Sequence, residues 1–365
     1  MYPRESISAG PIILRPLTEA DIPAVARACS DPVTQRFIPA MPSPYTEEDA
    51  RFWVTRIAEP RWGAGGAEFV IADARTGELD GAIGLHPPDR FDNVEAGYWV
   101  APWARRKGVA SAALRAVTTL AFEHGAPRVH LVAEMENVGS QKVALAAGFR
   151  HEGLLRGAGP VRGGGRADMA QYGRLPGDSG EPGTPFLPFL PEGGLTDGVV
   201  RLTMLTADDA SAYHAVGSLP DVVKYSVPPE PRPFEEILYR CTGAGYRWLN
   251  GIQAEMAIRD AATGAFAGEI QLSHLTPPMR EAMVGYSLHS DFRGRGLVTR
   301  AVELLAEWAF TQAGLRRLIS GTDPGNLASQ AVLERAGFTR GQTQKEYLPG
   351  PNGTWTDNVE WLRLR

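Results

Sequence analysis

The sequence predicts an α/β (α+β) protein, a mixed β-sheet with helices packed on it, and predicts it twice in one chain. Three observations carry that prediction. With 365 residues the chain exceeds one ordinary hydrophobic core, and about two domains are expected. The stretch from Glu95 to Phe149 reads strand, basic turn, long helix, strand, short helix, and the same order returns from Met283 to Phe338. The copies also hold register: Leu17 and Leu205 are 188 positions apart, Gly81 and Gly268 187, Gly108 and Gly296 188, Asn137 and Asn326 189. So small a drift over a domain length marks a tandem duplication.

Each copy opens with a strand, Ile13-Leu14-Arg15 or Val200-Arg201-Leu202. A helix start follows at Thr18 or Thr206, each with an acid three residues on (Asp21, Asp209), the pattern of a capping box. Short helical segments come next, interrupted by Pro-rich stretches at 39–49 and 226–236. Two strands then join through Arg75-Thr76-Gly77 or Ala262-Thr263-Gly264, X-Gly turns that mark hairpins. Residues 176–197 are dense in Pro and Gly and lack periodicity, which reads as a linker between an N-terminal domain at 1–175 and a C-terminal domain at 198–365. The seam falls near residue 190, and Phe186, Leu187, Phe189 and Leu190 predict that part of the linker packs on a domain face.

A net charge of −5 and a pI near 5.9 give no overall field for nucleic acid, so any anion site is local. Cys29 and Cys241 lie far apart with no CxxC or Cys/His ligand spacing, which argues against a disulfide framework or a zinc site. The first residues lack the apolar core and cleavage site of a secretory signal, and no apolar run approaches the ~18–20 residues of a membrane span. A reduced, cytoplasmic setting is the expectation, with neither nucleic acid nor membrane as partner.

The chemistry concentrates in the repeated turn. Arg105, Arg106, Lys107, Gly108, Val109 and Ala110 lead from a strand into a helix, as do Arg293, Gly294, Arg295, Gly296, Leu297 and Val298. Behind them Val109, Ala113, Ala116 or Val117, and Leu120 fall on one helix face, as do Leu297, Ala301, Leu304 or Leu305, and Trp308. A helix N-terminus carries N–H groups without partners at the positive end of the dipole, which suits a pyrophosphate, and glycine lets the backbone approach it. One basic turn alone reads as an exposed loop. Two in the same context, each followed by a strand, Asn-x-x-Ser and Gly-Phe, point to function. Neither a G-x-x-x-x-G-K-[ST] loop nor a strand-borne G-x-G-x-x-G competes.

These residues resemble the GNAT acetyltransferase superfamily, specifically its ribosomal-protein N-terminal acetyltransferase-like branch. The acyl-CoA signature of that family, Arg/Gln-x-x-Gly-x-Gly/Ala, is met by Arg105, Gly108 and Ala110. Arg293 and Gly296 meet it again, with Val298 in place of the small last residue. Gly97-Tyr98 and Gly285-Tyr286, the Asn-x-x-Ser segments, and an Asp before the last strand (Asp168, Asp357) match as well. The resemblance implies two tandem GNAT acyl-CoA N-acyltransferase domains, each with a sheet whose fourth and fifth strands splay apart. It implies an acyl-CoA co-substrate, acetyl-CoA first among them, and no metal. Pantetheine would pair with the backbone of Trp99-Val100-Ala101 or Ser287-Leu288-His289. Pyrophosphate would sit on residues 105–110 and 293–298. Asn137 and Asn326 would hold the pantetheine amide or the local loop, and Ser140 and Ser329 would lie near the sulfur.

The implied reaction is attack of an amine on a thioester. Alkyl amines near pKa ~10 are protonated at neutral pH and need a base. Glu95, just before Gly97-Tyr98, is the first general-base candidate, and Glu134 on the following strand is the second. In the second copy Met283 and Thr322 stand at those positions; Glu269, Glu281 and His289 are nearby alternatives that match no family position. Tyr225, Tyr239, Trp248, Tyr347 and Trp355 are either core residues or walls of an acceptor cleft. The seven histidines show no paired spacing and read as structural, and Gly163 to Gly165 read as a hairpin tip. The expected function is acyl-CoA-dependent N-acylation of a primary amine on a peptide, a protein N-terminus or a small molecule, with at least one domain catalytic. The alternative is a catalytically weak acyl-CoA-binding sensor or scaffold.

Overall fold

The computed structural model describes residues 2–365 and divides into two compact units, Met1–Thr184 and Pro185–Arg365. Each is built on one mixed eight-stranded sheet. In the first unit the strands are β1 (Ile7–Ala9), β2 (Ile12–Pro16), β3 (Ala67–Asp73), β4 (Leu79–Leu85), β5 (Val94–Val100), β6 (Val129–Glu134), β7 (Arg150–Pro160) and β8 (Arg166–Arg174), in the order β1-β2-β3-β4-β5-β6-β8-β7. The second has β9 (Leu195–Thr196), β10 (Val200–Met204), β11 (Ala254–Asp260), β12 (Phe266–Thr276), β13 (Glu281–Leu288), β14 (Arg317–Thr322), β15 (Thr339–Pro349) and β16 (Trp355–Leu364) in the matching order.

One parallel pair in each sheet sets up everything that follows. β5 and β6 pair only at Val94↔Val129 and Glu95↔His130, although β5 stays on β4 through Val100 and β6 stays on β8 through Glu134. Beyond Glu95 the two strands part and leave a gap. β13 and β14 do the same after Met283↔Ile319.

Helices cover both faces because the strands alternate with period 2. Met256 and Ile258 lie in the core that holds helix Leu297–Thr311, while Ala257 between them packs with Ala210, Tyr213 and Ile237 on the other side. In the first unit helix Val109–Glu123 packs on β4 and β5 and fully buries Ala113, Leu114 and Val117. Burying a Val or Leu side chain contributes about 1.5–3 kcal/mol. Thr18 and Thr206 form capping boxes with Asp21 and Asp209, as their spacing predicts.

The Pro/Gly-rich stretch 176–197 is shared out between the units. Gly183 donates its N–H to the Leu145 carbonyl (2.9 Å) in the first. In the second, Leu187 is fully buried, Phe189 stacks on Trp248 (5.8 Å between centroids), and Trp248 Nε1 donates to the Pro188 carbonyl (3.1 Å). Trp248 is therefore a core residue and faces no acceptor. Indole area buried against a proline-rich segment is what holds that segment down.

Candidate active site

The two signature turns share one backbone. Gly108 (φ 77°, ψ 4°) and Gly296 (φ 73°, ψ 6°) are left-handed residues that open helices of 15 residues each. Two residues earlier, Arg106 (φ 61°) and Gly294 (φ 72°) are left-handed as well. The second copy's Arg-Gly-Arg-Gly thus relieves at Gly294 a strain the first copy carries at Arg106. No side chain caps either helix, so the first-turn N–H groups stay available, and a Cβ built on Gly108 or Gly296 would meet nothing within 4 Å. Val298 is buried in the core, as is Ala110. The last signature position points inward, and its size leaves the turn unchanged.

The signature arginines hold the turn to the short helix before the sheet. Arg105 donates to Asp31 and to Thr34 Oγ1 (2.9 Å), and Asp31 also caps helix Pro32–Phe37. Arg293 donates to Asp221 and to the Leu288 carbonyl (3.1 Å). Arg106, Lys107 and Arg295 are exposed on the outer side of the turns, where Arg295 also meets Asp260.

Alternation of the antiparallel ladder decides which backbone groups face the gap. The His86 N–H donates to the Glu95 carbonyl and the Ala101 N–H to the Asp80 carbonyl (both 2.8 Å), so odd-numbered residues of β5 bond to β4. Ala96, Tyr98 and Val100 therefore face the gap. Of the triplet Trp99-Val100-Ala101 only Val100 does, and the Trp99 side chain is core. In the second copy the His289 N–H donates to the Ala267 carbonyl (2.8 Å), which turns His289 away and leaves Tyr286 and Leu288 toward the gap.

A hydroxyl pair spans each gap. Tyr98 Oη lies 2.8 Å from Ser140 Oγ, and Tyr286 Oη 2.9 Å from Ser329 Oγ. Asn137 and Asn326 accept from the N–H of Ser140 and Ser329 (3.1 Å each), so both hold the local loop as helix caps. Burial raises the Tyr98 phenol and pushes that of Tyr286 up to about 12, against the opposing serine hydrogen bonds. Both phenols remain protonated donors. That Tyr–Ser contact was signalled by the recurrence of Gly-Tyr and Asn-x-x-Ser at matching separations in both copies.

Where the first gap begins, three strands bring together residues the sequence left apart. The Glu95 carboxylate is 42% exposed, and its Oε2 lies 3.7 Å from His130 Nε2. His86 stands behind Gly97: its Nε2 is the atom a Cβ there would meet, at 3.5 Å. Burial lowers both imidazoles; Arg61 and His130 add to this at His86, and Arg128 at His130, while Glu95 opposes it. Glu134 sits four residues beyond His130, about 13 Å along the strand at ~3.3 Å per residue, so the two carboxylates form separate places. Glu134 faces Arg36 (3.9 Å); burial and Glu136 raise its carboxyl against Arg36. Among the described residues no group of three or more His, Cys, Asp or Glu is placed to hold a metal ion.

The second copy is different at the same place. Met283 stands beside Ile319; the place of Glu134 falls to Asp323, whose carbonyl accepts from Asn326 (3.0 Å) as that of Glu134 does from Asn137 (2.7 Å), and not to Thr322, whose buried hydroxyl accepts from Trp361 Nε1 (3.0 Å). Gln271 replaces Gly84 and fills the floor: a Cβ on Gly285 would lie 3.0 Å from its Nε2. The apolar pair Ala82↔Trp99 becomes Glu269↔Ser287. Glu269 is 6% exposed, accepts from Ser287 (3.3 Å), and has no partner for Oε2. Glu281 is held by Arg317 (2.7 Å), and the His289 ring caps the N–H of Asp291 (3.3 Å). Asp168 and Asp357 lie inside the last strands, not before them. They accept from the N–H of Gly157 (2.7 Å) and Glu346 (3.1 Å), at bulges of the partner strands. Tyr239, Tyr347 and Trp355 are exposed, and Gly163 to Gly165 form the β7–β8 tip with φ of 87°, 106° and 93°.

A splayed mixed sheet with an uncapped basic helix start at the gap, present twice, defines a tandem protein of the acetyltransferase fold class. A family model described as Acetyltransferase (GNAT) domain matches residues 12–150 and again residues 200–339, and the chain belongs to that family. It is similar to the probable N-acetyltransferase YjcK of Bacillus subtilis (strain 168), 36% identical over 80 residues, 22% of this chain and 44% of that protein. It is also similar to the putative ribosomal N-acetyltransferase YdaF of the same organism, 37% identical over 93 residues, 26% of this chain and 49% of that protein. The chain spans about half the length of these curated relatives. Among solved structures, the microcin C7 self immunity acetyltransferase MccE in complex with acetyl-CoA and AMP aligns with a TM-score of 0.44 at 19% identity, over 48% of this chain and 98% of that one. Among the described residues no helix is long and apolar enough to cross a membrane.

Proposed function

We propose that the chain is an acyl-CoA-dependent N-acyltransferase in which the first copy catalyses and the second keeps an acyl-CoA turn. The observation that carries the proposal is the carboxylate of Glu95 at the mouth of the first gap, where the second copy has Met283. The residues fit acyl-CoA: an uncapped helix start with open space before Gly108, and free backbone groups along one side of the gap. The co-substrate supplies a thioester. The N–H groups at residues 109–111 would hold its pyrophosphate, and the backbone of Tyr98 and Val100 its pantetheine arm. Glu95 takes a proton from the ammonium form of the acceptor, and the freed amine attacks the thioester carbon. The C–N bond forms, the C–S bond breaks, the Tyr98–Ser140 hydroxyl pair hands a proton to the departing sulfur, and the second proton lost by the nitrogen restores that pair. Acetyl is the proposed acyl group. A peptide or protein amine is the proposed acceptor class, supported by the name of YdaF; a cytoplasmic setting suits both. The second reading, an acyl-CoA-binding sensor or scaffold, is favoured only by Met283 at the place of Glu95.

Calorimetric CoA titration of wild type, Gly108→Trp and Gly296→Trp tests the binding half: two sites are expected in the wild type and one in each variant. A single site in the wild type would overturn the pair of intact turns. Thiol release from acetyl-CoA across a panel of amines tests the chemistry. Silence with every amine, despite CoA binding, favours the sensor.

A further inference from the structure

We propose that His130 is the proton relay behind Glu95, so that the first copy works through a carboxylate–imidazole pair. The inference rests on the reading of the first copy as catalyst and goes beyond it. The parallel pairing Glu95↔His130 places both side chains on one face of the sheet, with Oε2 and Nε2 3.7 Å apart. The members differ in access: the Glu95 side chain is 42% exposed at the gap and that of His130 18%. The carboxylate meets the acceptor, and the imidazole stands behind it. Its Nδ1 is buried without a partner, and the relay places the ring's one proton there, which leaves Nε2 as the accepting nitrogen toward Glu95. The second copy loses the pair as a unit, since Met283↔Ile319 stands where the first has Glu95↔His130.

The chemistry asks for such a relay. Carboxylates as a class ionise near ~4 and imidazoles near ~6.5, while an α-amine ionises near ~8, so an imidazole is the better matched final acceptor. During transfer the nitrogen loses two protons. One passes through Glu95 to His130 Nε2 and on to solvent; the other replaces the proton that Tyr98–Ser140 gives to the CoA sulfur. The charged and titratable groups facing His130 are Glu95 on β5, Asp89 in the loop after β4, Glu152 on β7, Arg128 just before β6, and His86. Burial and Arg128 lower the imidazole, so it is neutral and ready to accept at neutral pH.

The test uses the full chain, acetyl-CoA and whichever amine of the panel releases thiol fastest. His130→Gln is expected to lower kcat/KM ~10–100-fold and to remove the acid limb of its pH profile, with CoA stoichiometry unchanged; Glu95→Gln is expected to cost ~100-fold or more. NMR titration of the His130 ring gives a readout without turnover: its midpoint should fall in Glu95→Gln, which lacks the charge that raises it. A dead Glu95→Gln beside a His130→Gln with wild-type rate and profile overturns the relay and leaves the first copy as catalyst. A fully active Glu95→Gln, or silence with every amine, overturns that reading, and the relay falls with it. An unmoved His130 midpoint in Glu95→Gln refutes the coupling by itself.

Discussion

Replacing Glu269 by Gln is expected to stabilise the second domain above neutral pH, by an amount that grows along a definite pH window. The carboxyl is 6% exposed, bonded once to Ser287, and unpartnered at Oε2. Burial pushes it from 4.5 up to about 7, with Arg240 opposing and Glu255 adding to the rise. The folded state therefore holds this proton more tightly than the unfolded chain. Its contribution is fully present below about pH 4.5, declines as the unfolded chain ionises, and is lost once the pH passes about 7. At ~1.36 kcal/mol per unit, that interval corresponds to about 3 kcal/mol. Gln has the same shape, stays neutral, and can keep the bond to Ser287. Wild type and Glu269→Gln should match near pH 4, separate between about pH 4.5 and 7, and stay apart at pH 8, the variant being more stable. Urea unfolding from pH 4 to 8, read by hydrogen exchange in peptides covering Ala254–Asp260, measures the gap. A pH-independent gap, or a variant less stable at pH 8, refutes the reasoning; the latter would show that an ionised Glu269 balances Arg240.

Further outcomes follow from neighbouring contacts. Glu255 is fully buried and accepts from Arg240 (2.9 Å at Nε) and Arg247 (3.1 Å at Nε), so Glu255→Gln should cost the second domain about 3–5 kcal/mol; an unshifted urea midpoint would contradict this. Asp31→Ala removes a helix cap worth about 1 kcal/mol and unties Arg105, and calorimetry should show weaker CoA binding at one site of the two. Tyr98→Phe should lower kcat by ~10–100-fold with KM for acetyl-CoA little changed, since the lost hydroxyl acts when the sulfur departs; an unchanged kcat would remove the pair from the chemistry.

Much of this architecture was legible because it is local and repeated. The helix caps at Thr18 and Thr206 and the turns at Gly108 and Gly296 depend on neighbours within a few residues, and each appears twice. The less legible parts depend on which strands pair. His130 and Glu95 are 35 positions apart and meet only because β5 and β6 run parallel for two residues; period-2 alternation gives a face but no partner. The partner of Arg105, Asp31, lies 74 positions away and meets it only because a short helix docks beside the turn. Trp248 was ambiguous because an aromatic on a helix reads alike in a core or a cleft, and the Pro188 segment that covers it has no periodicity of its own. The gap-facing residues of β5 were misjudged by one position at Trp99 and Ala101, since the direction of a peptide group follows from the ladder and not from side-chain polarity.

The matching geometry of the two turns, Gly108 at φ 77° and Gly296 at φ 73°, bears on how turnover is counted. On the proposed reading, a chain with two acyl-CoA turns but one carboxylate–imidazole pair would titrate as two sites and turn over as one. A rate normalised to bound CoA would then understate the working centre by a factor of about two. The second copy, silent on that reading, would serve as a built-in reference, folded in the same tube and at the same concentration as the centre it calibrates.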